Sequence, residues 1–160
     1  MPEIISNLSE MVALKSGGRN IPVAKANDCI WGYAVGIDLT RRDLQIASRD
    51  VKRPWEVGKA FDHSAPCGPL KPASEIGHPT KGRITLKVNG KVRQDGNLNQ
   101  MIWNVPETIS KLSEMVELEA GDIIMTGTPS GVAATVAGDK IECEAEGVGK
   151  LTVNIGPPLK

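Results

Sequence analysis

Short apolar runs separated by turn residues make up most of the hydrophobic pattern of this chain. Seventeen glycines and eleven prolines interrupt these runs, which favours many strands joined by turns over long helices. Five stretches have the length and composition of strands. They are residues 30–37, 82–88, 122–126, 140–145 and 149–155. The pattern therefore predicts a mainly β fold of the α+β class.

One hairpin and two helices complete the predicted elements. Apolar and polar residues alternate on both sides of Asn89-Gly90, a dipeptide that supplies the positive φ angles of a tight hairpin turn. A helix is predicted over residues 106–116, where apolar residues recur at helical spacing and Pro106 suits the first turn. Gly121 ends that segment. Residues 40–49 are predicted to form a second short helix.

The first eighteen residues are a near-copy of a later segment. Residues 1–18 (MPEIISNLSEMVALKSGG) align with residues 105–122 (VPETISKLSEMVELEAGD), and eleven of the eighteen positions are identical. We interpret the copy as the product of a rearrangement at the N-terminus; a shared amphipathic pattern is the alternative. Because the later copy is predicted to be helical, residues 5–12 are predicted to form a helix that packs on a sheet or in a dimer interface. The chain is accordingly divided into residues 1–18, a rearranged helix, and residues 19–160, the main domain.

Size, charge and cysteine content narrow the function classes. A chain of 160 residues suits one domain with a real core. Its 19 basic and 19 acidic residues give a net charge of zero, which favours neither nucleic acid nor a membrane as partner. Three widely spaced cysteines do not suggest a disulfide framework or a zinc site. These features predict a cytoplasmic protein with reduced thiols.

Three places could carry chemistry. Asp38 ends an apolar strand, where it could bind a hard cation, and Arg42 could fork onto an anionic oxygen of a substrate. The alternative is a solvated strand end. Lys59 stands among apolar neighbours and could polarise a carbonyl, or it could simply extend from a strand edge into solvent.

The loop around Thr128, with a glycine on each side, could bring backbone N–H groups and a hydroxyl close to an anion; a plain tight turn is the alternative. His63 and His78 are the only histidines, and no motif ties either of them to a nucleophile. A Ser-His-Asp or Cys-His triad is therefore not supported.

Taken in order, three stretches resemble the fumarylacetoacetate hydrolase family. They are GRNIPVAKANDCIWGYAVGIDLTRRDLQ, RPWEVGKAFDHSAPCGPL and LKVNGKVRQDGNLNQMIWNVPETISKLSEMVELEAGDIIMTGTPSGV. The resemblance covers about residues 18–158. It implies a compact β-roll of mixed sheets with a few short helices, and a homodimer. It also implies Mg²⁺ or Mn²⁺ held by a Glu-x-Glu pair and an Asp.

Residue by residue, the resemblance makes Asp38 a metal ligand. It implies that Arg42, Gln45 and Thr128 bind substrate and that Lys59 is catalytic and contacts the substrate's dioxo group. The implied reaction is hydrolysis of a C–C bond in small 2,4-dioxo acids such as fumarylpyruvate or other acylpyruvates. The metal would chelate the substrate and stabilise the enolate that leaves.

Two departures from the family pattern keep other functions open. Where the Glu-x-Glu pair is expected, just upstream of the ALKSGGRNIP stretch, this chain has NLSEMV, and Glu10 is a doubtful single ligand. The upstream lid that would carry a water-activating His and Glu is absent, so any bound metal would be held weakly. The alternatives are a catalytically silent member that acts through association with itself or an intact relative, and an oxaloacetate decarboxylase.

Overall fold

Two antiparallel sheets form the core of the protein in its computed structural model, which describes residues 4–157. Within that range there are nine strands and five α-helices. The strands are β1 (Ile4–Leu14), β2 (Ile30–Arg41), β3 (Lys71–Pro72), β4 (Arg83–Val88), β5 (Lys91–Asn97), β6 (Ile123–Met125), β7 (Ala133–Thr135), β8 (Lys140–Ala145) and β9 (Gly149–Asn154). The helices are α1 (Val23–Ala26), α2 (Arg42–Asp50), α3 (Glu56–Lys59), α4 (Ala73–Ile76) and α5 (Val105–Met115). The mainly β prediction is confirmed, although every pairing among these strands is antiparallel rather than mixed.

The larger sheet is built around β1. This strand pairs with β2 along one edge, while β6 and β7 pair in succession along its other edge. β3 extends the sheet beyond β2. β2 pairs along the whole of β1, and on the other edge the gap between β6 and β7 is partly filled by the Gln94 side chain, which accepts from Leu8 N. Residues Ile5 to Leu14 are all buried.

The predicted N-terminal helix is wrong, because residues 4–14 form a strand. The Ile5, Leu8, Met11 and Val12 spacing that suits a helix equally suits a strand buried on both faces, where apolar residues need no single period. Leu8 and Val12 are fully buried between the sheets. The strand therefore buries apolar residues on both of its faces, which a surface helix would not do. Residues 1–3 of the copied segment lie outside the described residues.

Sequence differences between the two copies agree with their different structures. In α5 the exposed Lys111 and Glu114 form an i,i+3 ion pair, whereas the position equivalent to Lys111 is the buried Asn7. The later copy has Glu117 where the strand has Ala13, which is only 7% exposed. A buried position tolerates alanine and a solvent-facing position tolerates charge, so these differences suit a buried strand in the first copy and the exposed surface of α5 and the residues after it in the second.

The second sheet has the order β5-β4-β8-β9. The predicted hairpin is confirmed, since β4 and β5 pair across Asn89 and Gly90, whose φ angles are 50° and 78°. The core lies between this sheet and the larger one, where Leu86 and Ile141 belong to the same apolar cluster as Leu8. The other predicted strands appear with small shifts of their ends.

The predicted helix over 106–116 is confirmed as α5. Asn104 and Glu107 form a reciprocal capping box at its start, and Pro106 occupies the first turn. The second predicted helix is confirmed as α2, which starts two residues later than expected. Among residues 4–157, no helix is long and apolar enough to cross a membrane.

Candidate functional site

Asp38 and Lys59 meet at the end of the larger sheet. Asp38 lies in β2, and the ammonium of Lys59, at the end of α3, forms an ion pair with its carboxylate. The same ammonium donates a hydrogen bond of 2.9 Å to Thr40 Oγ1. The two charged side chains are 29% and 34% exposed, so the pair can be reached by a solute.

Backbone contacts along β2 hold Lys59 in this position. The segment that follows α3 runs along the outer edge of β2, where Leu39 N donates to Ser64 O at 2.7 Å and Ile37 N to Pro66 O at 3.0 Å. Gly58 packs against the start of α2: a Cβ there would lie 3.0 Å from Gln45 N, closer than most neighbours allow. The motif around Lys59 therefore needs a residue without a side chain immediately before the lysine.

Asn7 of β1 completes this group on the other side. It stands opposite Asp38 in the β1–β2 register, and its amide donates to Asp38 O at 2.8 Å and to Thr40 Oγ1 at 3.1 Å. We call Asn7, Asp38, Thr40 and Lys59 the Asp38 cluster. Asn7 and Thr40 are not among the residues predicted from the sequence, because a helix over residues 5–12 would not pair Asn7 with β2.

Alternation along β1 decides which side chains share the face of this cluster. Side chains two residues apart point to the same face of a strand, so Ser9 lies on the face of Asn7. Ser9 stands opposite Gly36, and Met11 fills the space over Gly36, since a Cβ on that glycine would lie 2.0 Å from Met11 Sδ. Next to Asp38, the face therefore offers an amide, a hydroxyl and a thioether.

Arg42 and Gln45 lie in the first turn of α2, close to α3, and hydrogen-bond to each other. Among the described residues, no hydrogen bond or ion pair links either of them to Asp38 or Lys59. The neighbouring Arg41 stacks on Phe61, with 4.2 Å between its guanidinium carbon and the ring centroid. These residues border the Asp38 cluster without joining it.

Thr128 lies elsewhere, in the loop after β6. Its hydroxyl accepts a hydrogen bond of 2.8 Å from the amide of the buried Gln94, which also accepts from Leu8 N at 2.9 Å. This loop borders a cavity of about 840 Å³ that is also lined by Asn97, Trp103 and Glu10. None of Asp38, Arg42, Gln45 and Lys59 is among the lining residues. The structure thus brings Asp38 and Lys59 together, places Arg42 and Gln45 beside them, and puts Thr128 at a different cavity.

Glu10 does not join the Asp38 cluster. It alternates with Asn7 and Ser9 along β1 and so lies on the opposite face, where it is 1% exposed. Neither carboxylate oxygen has a hydrogen-bond partner among residues 4–157, and burial raises the pKa of this carboxyl to about 7. The glutamate considered as a doubtful metal ligand is thus a buried acid on the core side.

The cluster does not fit a divalent cation. Mg²⁺ and Mn²⁺ require several oxygen ligands, including carboxylates, but Asp38 is the cluster's one carboxylate and is already paired with Lys59. The amide hydrogens of Asn7 are directed at Thr40 and at a carbonyl. Among residues 4–157 no group of three or more His, Cys, Asp or Glu side chains could hold a metal ion.

Comparison with known proteins gives a consistent family match. The family described as fumarylacetoacetate (FAA) hydrolase, C-terminal, matches residues 2–155. A fumarylpyruvate hydrolase of Ralstonia sp is 42% identical over 147 residues, covering 92% of this chain and 76% of that protein. The mitochondrial oxaloacetate tautomerase FAHD1 of Homo sapiens is 39% identical over 140 residues, covering 88% of this chain and 63% of that protein.

The fold agrees with solved structures. The crystal structure of fumarylpyruvate hydrolase from Pseudomonas aeruginosa in complex with Mn²⁺ and pyruvate superimposes with a TM-score of 0.95 at 46% identity, covering 98% of this chain and 67% of that one. The chain spans between about three fifths and three quarters of the length of these relatives. The family match includes β1, so the copied segment occupies a strand position of the family fold.

Proposed function

Because this chain belongs to the fumarylacetoacetate hydrolase family, we propose that it acts on small 2,4-dioxo acids and hydrolyses the C–C bond next to a carbonyl. The observation that carries the proposal is the Asp38–Lys59 pair, a solvent-reachable ammonium held in place by a carboxylate and the Thr40 hydroxyl. The name of the Ralstonia relative supports fumarylpyruvate or another acylpyruvate as the substrate.

In the proposed reaction, Arg42 receives the carboxylate end of the substrate, and Lys59 lies beside its dioxo group. Water adds to the distal carbonyl, the C–C bond breaks, and its electron pair leaves as the enolate of the 2-oxo acid. One water proton finally reaches the enolate carbon and the other is released to solvent, so the products are a carboxylate and a 2-oxo acid. Lys59 would stabilise the enolate oxygen as negative charge develops on it. Arg42 would fork onto the substrate carboxylate, and Gln45 would hold that guanidinium in place.

A second candidate is a member of the family without hydrolytic activity that acts through association with itself or with an intact relative. The Asp38 cluster has one carboxylate, and this favours the second candidate, because a metal-dependent relative would need more ligands than Asp38 supplies. Action on oxaloacetate is a third possibility, supported by the name of the human relative.

One assay separates these candidates. Purified protein is incubated with fumarylpyruvate, acetylpyruvate or oxaloacetate, with and without added Mn²⁺, and the products are quantified. Lys59→Met is the matched variant, since it removes the ammonium but keeps most of the side-chain length. Turnover of a dioxo acid that falls at least about tenfold in Lys59→Met supports the hydrolase. Turnover of oxaloacetate alone supports the third possibility, and no turnover above background supports the silent candidate.

A further inference from the structure

The charges around Asp38 are already balanced without a metal. The Asp38 carboxylate and the Lys59 ammonium give the cluster a net charge of zero, and Asn7 and Thr40 are neutral. A divalent cation entering next to Asp38 would be repelled by Lys59 at short range. To displace Lys59 from the Asp38 carboxylate, the cation would need further anionic ligands on the same face of the sheet.

The strand register shows where such ligands would have to stand. Residue 7 stands directly opposite Asp38 in the register, and residues 5 and 9 are the next β1 positions on the same face. Residue 5 is an isoleucine. Residues 7 and 9 carry an amide and a hydroxyl, each engaged in hydrogen bonds: Asn7 with Thr40, and Ser9 with Thr126 N at 3.1 Å. Glu10, the acidic residue of β1, points to the other face.

From this geometry we infer that the site binds its anionic ligand without a divalent cation, with the Lys59 ammonium in the role of counter-ion to Asp38. Positions 7 and 9 are the two places whose change to carboxylates turns the Asp38 cluster into a hard-cation site. The inference rests on the proposed location of the pocket, but it does not require that the pocket catalyse hydrolysis. It predicts that oxalate, a small dicarboxylate, binds equally well with Mn²⁺ and with a chelator.

The test measures Mn²⁺ binding directly. Electron paramagnetic resonance counts bound Mn²⁺ in the unmodified protein, in Asn7→Glu/Ser9→Glu and in Glu10→Gln, each first shown to be folded by circular dichroism. The unmodified protein and Glu10→Gln should show the same weak binding, because Glu10 is on the wrong face. The double variant should bind Mn²⁺ at least about tenfold more tightly, since it adds two carboxylates around Asp38.

Three results would overturn the inference. The first is micromolar Mn²⁺ binding by the unmodified protein, and the second is a folded double variant with no gain in affinity. The third applies even if the double variant does not fold: selective broadening of the Asp38 and Thr40 amide NMR signals of the unmodified protein by trace Mn²⁺ would show a metal at the cluster. Absence of that broadening, with oxalate affinity unchanged by chelator, supports the inference. Turnover is not part of this test, so an inactive protein would leave its outcome intact.

Discussion

At the scale of single residues, Glu10 and Glu114 show how strongly environment determines the properties of one side chain. They occupy equivalent positions in the two copied segments. Glu114 is half exposed and paired with Lys111 on α5, whereas Glu10 is 1% exposed and neither of its oxygens has a partner in the described part of the chain. A buried carboxylate without hydrogen bonds is destabilised in its charged form, so Glu10 should weaken the fold at neutral pH.

The pH dependence of stability tests this. The pKa of Glu10 is about 7 in the fold against 4.5 in the reference state, so the folded protein binds more protons between those values. The contribution of Glu10 to the free energy of unfolding therefore falls by about 3 kcal/mol as pH rises from about 4.5 to about 7. Above that range the contribution levels off. Urea unfolding at about pH 5 and about pH 8 measures the change.

Glu10→Gln should remove most of this pH dependence, because an amide does not ionise. Glu114→Gln is the matched control and should leave it in place. If both variants retain the same loss of stability with rising pH as the unmodified protein, Glu10 is not the group responsible.

Lys59 allows a second test at this scale. Lys59→Met should weaken the binding of oxalate at least about tenfold, because it removes the ammonium that the anion would contact. Folding should survive, since the side chain is about one-third exposed and Asp38 can be hydrated when it loses its partner. Isothermal titration calorimetry measures the affinity. Lys91→Met, at an exposed position of β5, is the control; equal oxalate affinity in all three proteins would exclude Lys59 from the pocket.

At the scale of elements, the sequence correctly predicted the hairpin and the helix that are determined by interactions between neighbouring residues. The Asn89-Gly90 hairpin and the Pro106-containing helix depend on turn and capping residues that are close in sequence, and both are present. β1 depends on pairing with β2, β6 and β7, two of which are more than a hundred residues away. A single-sequence pattern does not contain those partners, so the helical spacing of the copy was misleading.

The same reason limits what the sequence could say about the site. Asp38 and Lys59 were candidates from their local surroundings, family resemblance gave them roles in one site, and the structure brings them together. Asn7 reaches Asp38 only because β1 is a strand in register with β2, so a helical reading could not include it. The alternation of Asn7, Ser9 and Met11 with Leu8, Glu10 and Val12 was the available signal, but the burial of both faces obscured it.

A substitution between the copies tests whether β1 is a buried strand. Ala13→Glu introduces the residue that the later copy has at the equivalent position, Glu117, just after α5. Ala13 is 7% exposed and pairs with Gly32 and Ile123, so an unpaired carboxylate there should lower the unfolding free energy by about 3 kcal/mol or more. Glu117→Ala should change it by less than about 0.5 kcal/mol, because that side chain is 62% exposed. Chemical unfolding compares the two, and a tolerated Ala13→Glu would argue against the strand.

At the scale of the whole molecule, some large apolar side chains remain exposed together instead of being buried in the core. The two sheets bury one core between them, yet Ile102 and Trp103, in the segment before α5, are 97% and 53% exposed. Both line the 840 Å³ cavity that also contains Glu10 and Thr128. Adjacent large apolar side chains exposed at the mouth of a cavity are typical of surfaces that bind another protein.

The homodimer implied by family resemblance therefore has a specific predicted location. If two copies meet at this segment, Ile102→Ser/Trp103→Ser removes apolar anchors from both sides of the interface at once. Its dimer dissociation constant should rise at least about tenfold, because each buried large side chain contributes about 1.5–3 kcal/mol. Sedimentation velocity over a concentration series measures the change, with Trp55→Ser, at another exposed tryptophan, as the control.

A monomeric unmodified protein would contradict the dimer itself, and an equal effect of both variants would contradict its location. An interface here would also cover the cavity mouth and so couple access to Thr128 with assembly of the dimer.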